Sequence, residues 1–133
     1  MPCYDFSNFD LYFKENMNAI GLPSSTDLFG STTLAYANIR ELAEAVSLYG
    51  RHITLTEVWG ATGKLEKLRT AGPILAAYYT GAAVGSLAVA LGRTLGCGTT
   101  IADIMWQLRE NGIYAVWIES ELISHPQFLK PVR

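Results

Sequence analysis

Apolar residues recur along this chain at helical spacing in one segment after another. Phe6, Phe9, Phe13, Met17 and Ile20 lie three or four positions apart, the period of a helix with one buried face. Gly21 and Pro23 end that segment. Ser24, Ser25 and Asp27 supply capping side chains for a second helix. Its stripe is Leu28, Ala35, Ile39, Leu42 and Val46, with Arg40, Glu41 and Glu44 mostly off it, and Gly50 is placed to cap its end. Thr54 and Glu57 have capping-box spacing and open a third helix, with Val58, Ala61, Leu65 and Leu68 on its inner face.

The fourth segment differs in kind. Gly72-Pro73 punctuates its start, and Ile74 to Leu91 then holds no charge and no proline. Gly96-Cys97-Gly98 breaks it. Thr99 or Thr100 caps a fifth helix faced by Ile101, Ile104, Met105 and Leu108, which Asn111-Gly112 ends. Residues 113–118 have the aromatic and β-branched composition of a strand. Tyr114, Trp117, Ile118, Glu121 and Leu122 nevertheless keep helical spacing, and a lone strand would lack a partner, so a helix up to His125-Pro126 is expected. The tail from Gln127 is expected to be irregular. The fold implied is all-α: one domain, residues 1–133, built as a compact bundle of five to six helices around a central apolar glycine-rich helix at about residues 73–92.

Composition sharpens this picture. Hydrophobic residues make up 50 % and charged residues 17 % of the chain, against roughly 25 % charged in ordinary domains. Mean hydropathy is +0.18. The apolar excess must be buried in a core, a partner or lipid. Net charge is −2, whereas nucleic-acid binders carry a basic patch or stripe. The densest basic cluster, Lys64, Lys67 and Arg69, is interrupted by Glu66 and reads as a solvated helix face, so no nucleic-acid partner is expected. Cys3 and Cys97 make no disulfide framework, which fits a reduced compartment. The start, Met1-Pro2-Cys3-Tyr4-Asp5, lacks a basic stretch followed by an apolar run, so synthesis in the cytoplasm without a cleaved signal is expected.

The central segment carries the main functional signal. A bilayer core needs roughly 20 apolar residues in a helix, and Thr70 to Gly92 meets that length, with Arg69 and Arg93 at its flanks. Tyr78 and Tyr79 lie inside the segment, unlike an aromatic belt. At about 100° per residue, Ala77, Gly81, Gly85, Ala88 and Gly92 share one face, and Gly92 and Gly96 form a second small pair. Such a face lets another backbone approach closely, in lipid or in a protein core. A helix apolar all round is equally the central helix of a small bundle.

Gly81-Ala82-Ala83-Val84-Gly85 through Gly92-Arg93-Thr94-Leu95-Gly96 resembles the glycine-zipper segments of bacterial membrane-targeting effectors, the toxins injected into rivals by contact-dependent secretion machines. The resemblance implies depolarisation of a target cell's inner membrane after secretion. Its implied partners are the lipid bilayer, an immunity protein and a component of the secretion machine. Colicin-type pore domains carry a long paired hydrophobic hairpin that this chain lacks, which favours a homo-oligomer over a monomeric pore.

Candidate chemistry is sparse. His52 and His125 have no neighbour at metal-ligand spacing and read as surface loop residues, so no metal is expected. Cys97 sits just before a helix, where a thiol becomes more acidic and more nucleophilic. It is the one enzymatic reading left, and no catalytic residue is assigned. Residues 92–98 lack the Gly-Lys-[Ser/Thr] of a P-loop, so no nucleotide cofactor is expected. Glu119 and Glu121 read as a solvated helix start. Trp117 and Phe128 offer an exposed-aromatic partner site. Two functional expectations remain: a membrane-acting effector, and a helical interaction module of the immunity or adaptor kind with the apolar helix as its buried core.

Overall fold

Hydroxyl side chains cap helix starts where the sequence places them. The computed structural model describes residues 9–60, 62–64, 74–95 and 101–129. Among them the helices are α1 (Phe9–Ile20), α2 (Thr26–Phe29), α3 (Thr32–Tyr49), α4 (Leu55–Trp59), α5 (Ala76–Leu95), α6 (Ile101–Glu110) and α7 (Val116–Ser124), followed by a 3₁₀ turn at Pro126–Leu129. The fold is an all-α bundle. Ser31 Oγ accepts the Leu34 N–H, and Thr54 and Glu57 form both halves of the capping box. Each satisfies N–H groups that a helix start otherwise leaves unpaired. Gly50, at φ +103°, ends α3, as expected.

Three boundaries depart from expectation. The second helix is two: Ser25 caps the short α2, Gly30 ends it and Ser31 caps α3 afresh. Two capping serines on either side of a glycine make two starts cheaper than one continuous helix. Leu28 and Phe29 thereby turn into the core. The central helix begins at Ala76 rather than Pro73. Ile74 and Leu75 instead pair with the start of α4: Leu55 N–H donates to the Ile74 carbonyl at 2.9 Å, and Ala76 N–H to the Ile53 carbonyl at 2.8 Å. The third helix is described only as α4, ending at Trp59; Ala61, Leu65 and Leu68 lie outside the described residues. The segment after Gly112 is helical only from Val116, which bears out the spacing of Trp117, Ile118, Glu121 and Leu122, while residues 113–115, Tyr114 among them, lie before the helix.

Helix α5 is the axis of the fold. It packs most extensively against α1, and also against α3, α7 and the 126–129 turn. Residues 80–91 are all buried. Full burial of one large apolar side chain contributes about 1.5–3 kcal/mol, and Val84 and Leu87 are fully enclosed. A chain of rings crosses the core around this axis: Phe9, Phe13, Phe29, Tyr79 and Trp59, with successive centroids 4.9–6.4 Å apart. One polar network with an ion pair at its centre closes its rim. Lys64 Nζ donates to Asn38 Oδ1 at 2.9 Å and to Glu41 Oε2 at 2.8 Å, and Trp59 Nε1 donates to Glu41 Oε1. Lys64 is therefore partnered rather than part of a free solvated face, while Lys67 and Arg69 lie outside the described residues.

Tyr79 shows the cost of placing a polar tip inside. Its hydroxyl donates to the Pro23 carbonyl at 2.7 Å, and burial holds its phenol well above the ordinary value of 10.0. A raised folded-state pKa contributes stability that is fully present below pH 10 and is lost as the unfolded tyrosine ionises above it. Tyr79→Phe is expected to lose about 1 kcal/mol at neutral pH, the worth of the hydrogen bond. The same variant is expected to flatten the alkaline fall in stability. Urea midpoints at about pH 7 and about pH 11 would check both effects.

Candidate functional site: the glycine face of the central helix

The predicted small face faces inward, and the chain itself fills it. Ala77 and Ala88 are 3 % and 1 % exposed, and Gly81 and Gly85 are also buried. Gly92 lies in the last turn of α5, while Gly96 and Cys97 lie outside the described residues. A Cβ at Gly81 would sit 3.0 Å from Glu121 Cβ and 3.1 Å from the Phe128 ring. A Cβ at Gly85 would sit 2.6 Å from both Phe128 Cβ and the Phe128 carbonyl oxygen. The close backbone approach predicted for this face therefore occurs, with α7 and the 126–129 turn as its partners.

Phe128 is fully buried, which corrects its expected role as an exposed partner aromatic. Its ring packs edge-on to Tyr78 at 5.1 Å and against His125 at 5.0 Å. Pro126 explains the geometry: it cannot extend α7, so the chain turns tightly and lays Phe128 on the glycines. The tail is ordered 3₁₀ structure through Leu129, not irregular. Trp117 is half-buried and tied to α3 through a 3.0 Å hydrogen bond from its Nε1 to Ser47 Oγ.

Asn16 anchors the turn from the opposite side. It is 1 % exposed, and its Nδ2 donates at 2.9 Å to both Ser86 Oγ and the Phe128 carbonyl. Its Oδ1 is buried with no hydrogen-bond partner. Such an orphaned acceptor costs about 1–3 kcal/mol. Sequence reading passed over this residue, yet there was a signal: Asn16 falls within the apolar stripe of Phe9, Phe13, Met17 and Ile20, where a polar side chain must find partners inside.

Glu121 corrects another expectation. It is 7 % exposed rather than solvated, and accepts from the Arg51 guanidinium, while His125 Nε2 lies 3.5 Å from its second oxygen. His125 is thus part of the α7–turn junction and not a free loop residue; His52 is exposed, as expected. Among the described residues, no three His, Cys, Asp or Glu side chains converge to hold a metal ion.

No helix among the described residues is long and apolar enough to cross a membrane. This corrects the length argument. Ile74 and Leu75 lie before α5 and not in it, Arg93 falls in its last turn, and Gly, Ala, Ser and Thr dilute the rest. Small residues remove little apolar area from water, so a helix rich in them is charge-free without being strongly hydrophobic.

The outer surface carries a second feature. A groove of about 330 Å³ runs between α3 and the loop before α7, lined by Arg40, Ala43, Glu44, Ser47, Leu48 and residues 112–115. Leu48 and Tyr114 on its walls are 73 % and 75 % exposed, and Val116 beyond it is 81 % exposed. Gly112, at φ +82°, makes the turn that brings this loop back along α3. Compared with known protein families, curated proteins and solved structures, the chain finds no match in any of the three.

Proposed function

We propose that the chain is a helical protein–protein interaction module whose apolar helix is its own core. One observation supports this reading above the others. The face best suited to entering a membrane or zipping onto a copy is already filled by Phe128 and Glu121, while large apolar side chains stand exposed beside the α3 groove. Exposed Leu48 and Tyr114 on the walls of a concave surface are the usual beginnings of a protein interface. Mixed charge at Arg40 and Glu44 supplies a polar rim.

A photo-crosslinker in place of Tyr114 in cells tests it. The expected result is one dominant protein adduct that Leu48→Asp abolishes without changing the thermal midpoint. Absence of any adduct, or adducts indifferent to Leu48→Asp, overturns the interface.

The membrane-acting effector is the competing proposal. It is favoured by the charge-free, wholly buried run at residues 80–91, which only the surrounding helices keep from water. This reading expects dye release from vesicles of bacterial lipid and growth arrest when the chain is directed to the periplasm. The interaction module expects neither.

A further inference from the structure

We propose that the α3 groove is where a second copy of this chain docks, in a two-fold dimer whose α3 helices run antiparallel. The inference rests on the reading of the chain as an interaction module and names the partner at that same surface.

The first argument is charge. Arg40 and Glu44 are exposed on the groove wall, one helical turn and about 6 Å apart along the α3 axis. Opposite charges at this spacing often pair within a helix, but the order with the cation first is the weaker one. Here they do not pair. Arg40 lies beside Gly112 instead, where a Cβ would stand 3.5 Å from its Nη1. Among the described residues, neither Arg40 nor Glu44 makes a side-chain hydrogen bond or an ion pair. Two unpaired charges of opposite sign on one helix face are complementary to the same face turned round. In a two-fold interface residue i meets j while j meets i. Arg40 of each copy then meets Glu44 of the other, and two ion pairs form at once.

The face has the shape for it. Thr33, Ala37, Arg40, Glu44 and Ser47 follow at alternating spacings of four and three, which keeps them in one seam along the helix. All five are exposed. The residues on either side of the charged pair are small, so a second helix can come close.

The register then makes an independent match. With Arg40 opposite Glu44 of the second copy, Leu48 falls opposite Tyr36 of that copy. Leu48 is 73 % exposed. A second groove of about 310 Å³ opens at that point, lined by Thr33, Tyr36, Ala37 and Arg40 among others. The dimer thus seats each exposed leucine in the other copy's groove. That removes from water an apolar side chain that a lone chain leaves in it.

The test is sedimentation equilibrium on the full chain, on Arg40→Glu, on Glu44→Arg and on a one-to-one mixture of the two variants. Wild type is expected to dimerise reversibly. Each variant alone sets like charges opposite one another twice and is expected to dimerise at least about tenfold more weakly. Mixed, the variants regain both opposite-charge pairs and are expected to form a heterodimer about as tight as the wild-type dimer. Leu48→Asp is expected to leave a monomer. Both charged side chains are exposed and unbonded, so the variants keep the fold, and unchanged thermal midpoints check this. Wild type that stays monomeric to millimolar concentration overturns the proposal. So does a dimer indifferent to both charge reversals, or a mixture that associates no more tightly than its components. The crosslinker at Tyr114 separates this proposal from the reading beneath it. An adduct of twice the chain's mass supports the second copy. An adduct of any other mass, with a monomeric wild type, overturns the second copy and leaves the interaction module standing. Absence of any adduct overturns the module itself.

Discussion

Trp59→Ala is expected to destabilise the chain by about 3–5 kcal/mol, the range for removing a large buried aromatic. Several losses combine there. Trp59 is fully enclosed and packs edge-on to Tyr79 at 6.4 Å, at the end of the ring chain that crosses the core. Its Nε1 donates to Glu41, and Lys64 stands 5.7 Å over its ring. Removing the indole opens a cavity and strips partners from Glu41 and Lys64 together. Domains of this kind have about 5–15 kcal/mol in total, so the variant should unfold at much lower urea. Trp59→Phe is expected to recover roughly half, because packing returns and the polar contact does not. Equilibrium urea unfolding of the three proteins measures both numbers. A loss below about 1 kcal/mol would show that Trp59 is not a core element.

Gly85→Leu is expected to have the next largest effect, and for the opposite reason. Its Cβ would fall 2.6 Å from Phe128 Cβ and from the Phe128 carbonyl oxygen. The carbonyl is backbone, so no rotamer change relieves the clash. Overpacking of this kind costs about 1–3 kcal/mol and sometimes more. Replacing a mid-helix glycine returns up to about 1 kcal/mol of helix propensity. The net expectation is a loss of about 2 kcal/mol, with the 126–129 turn displaced. Gly81→Ala is the control. Its nearest neighbours are Glu121 Cβ at 3.0 Å, which gives only by a few tenths of an ångström with the α7 backbone, and the edge of the Phe128 ring at 3.1 Å, both farther off than the 2.6 Å contacts at Gly85. Helix propensity and crowding then nearly cancel, and Gly81→Ala should stay within about 1 kcal/mol of wild type. Urea midpoints, with Tyr78 and Phe128 resonances reporting the turn, separate the two glycines. Equal effects at both positions would mean that the turn does not sit on Gly85.

The two glycines explain what the small face is for. A zipper on a bilayer-spanning helix and a floor under a packed phenylalanine need the same residues, because both require backbone to be approached closely. Sequence alone leaves those uses equivalent. Pro126 breaks the tie locally by forcing a turn after α7, and Asn16 breaks it at long range by holding the Phe128 carbonyl.

The periodic apolar stripes and the capping residues belong to the sequence alone, because a helix and its caps are decided within a few residues of one another. Phe9, Phe13 and Met17, the Thr54–Glu57 box, the terminator at Gly50 and the small face of Ala77, Gly81, Gly85 and Ala88 were all legible in this way. The tertiary structure decided what that face meets. Asn16 and Phe128 are 112 positions apart, and Arg51 and Glu121 are 70 apart. No local period encodes such pairings; they arise when α1, α5 and α7 close around one core. The same closure made Glu121 and Phe128 interior, although each looked like surface from its neighbours in sequence. Burial belongs to the assembled bundle, whereas periodicity belongs to the chain.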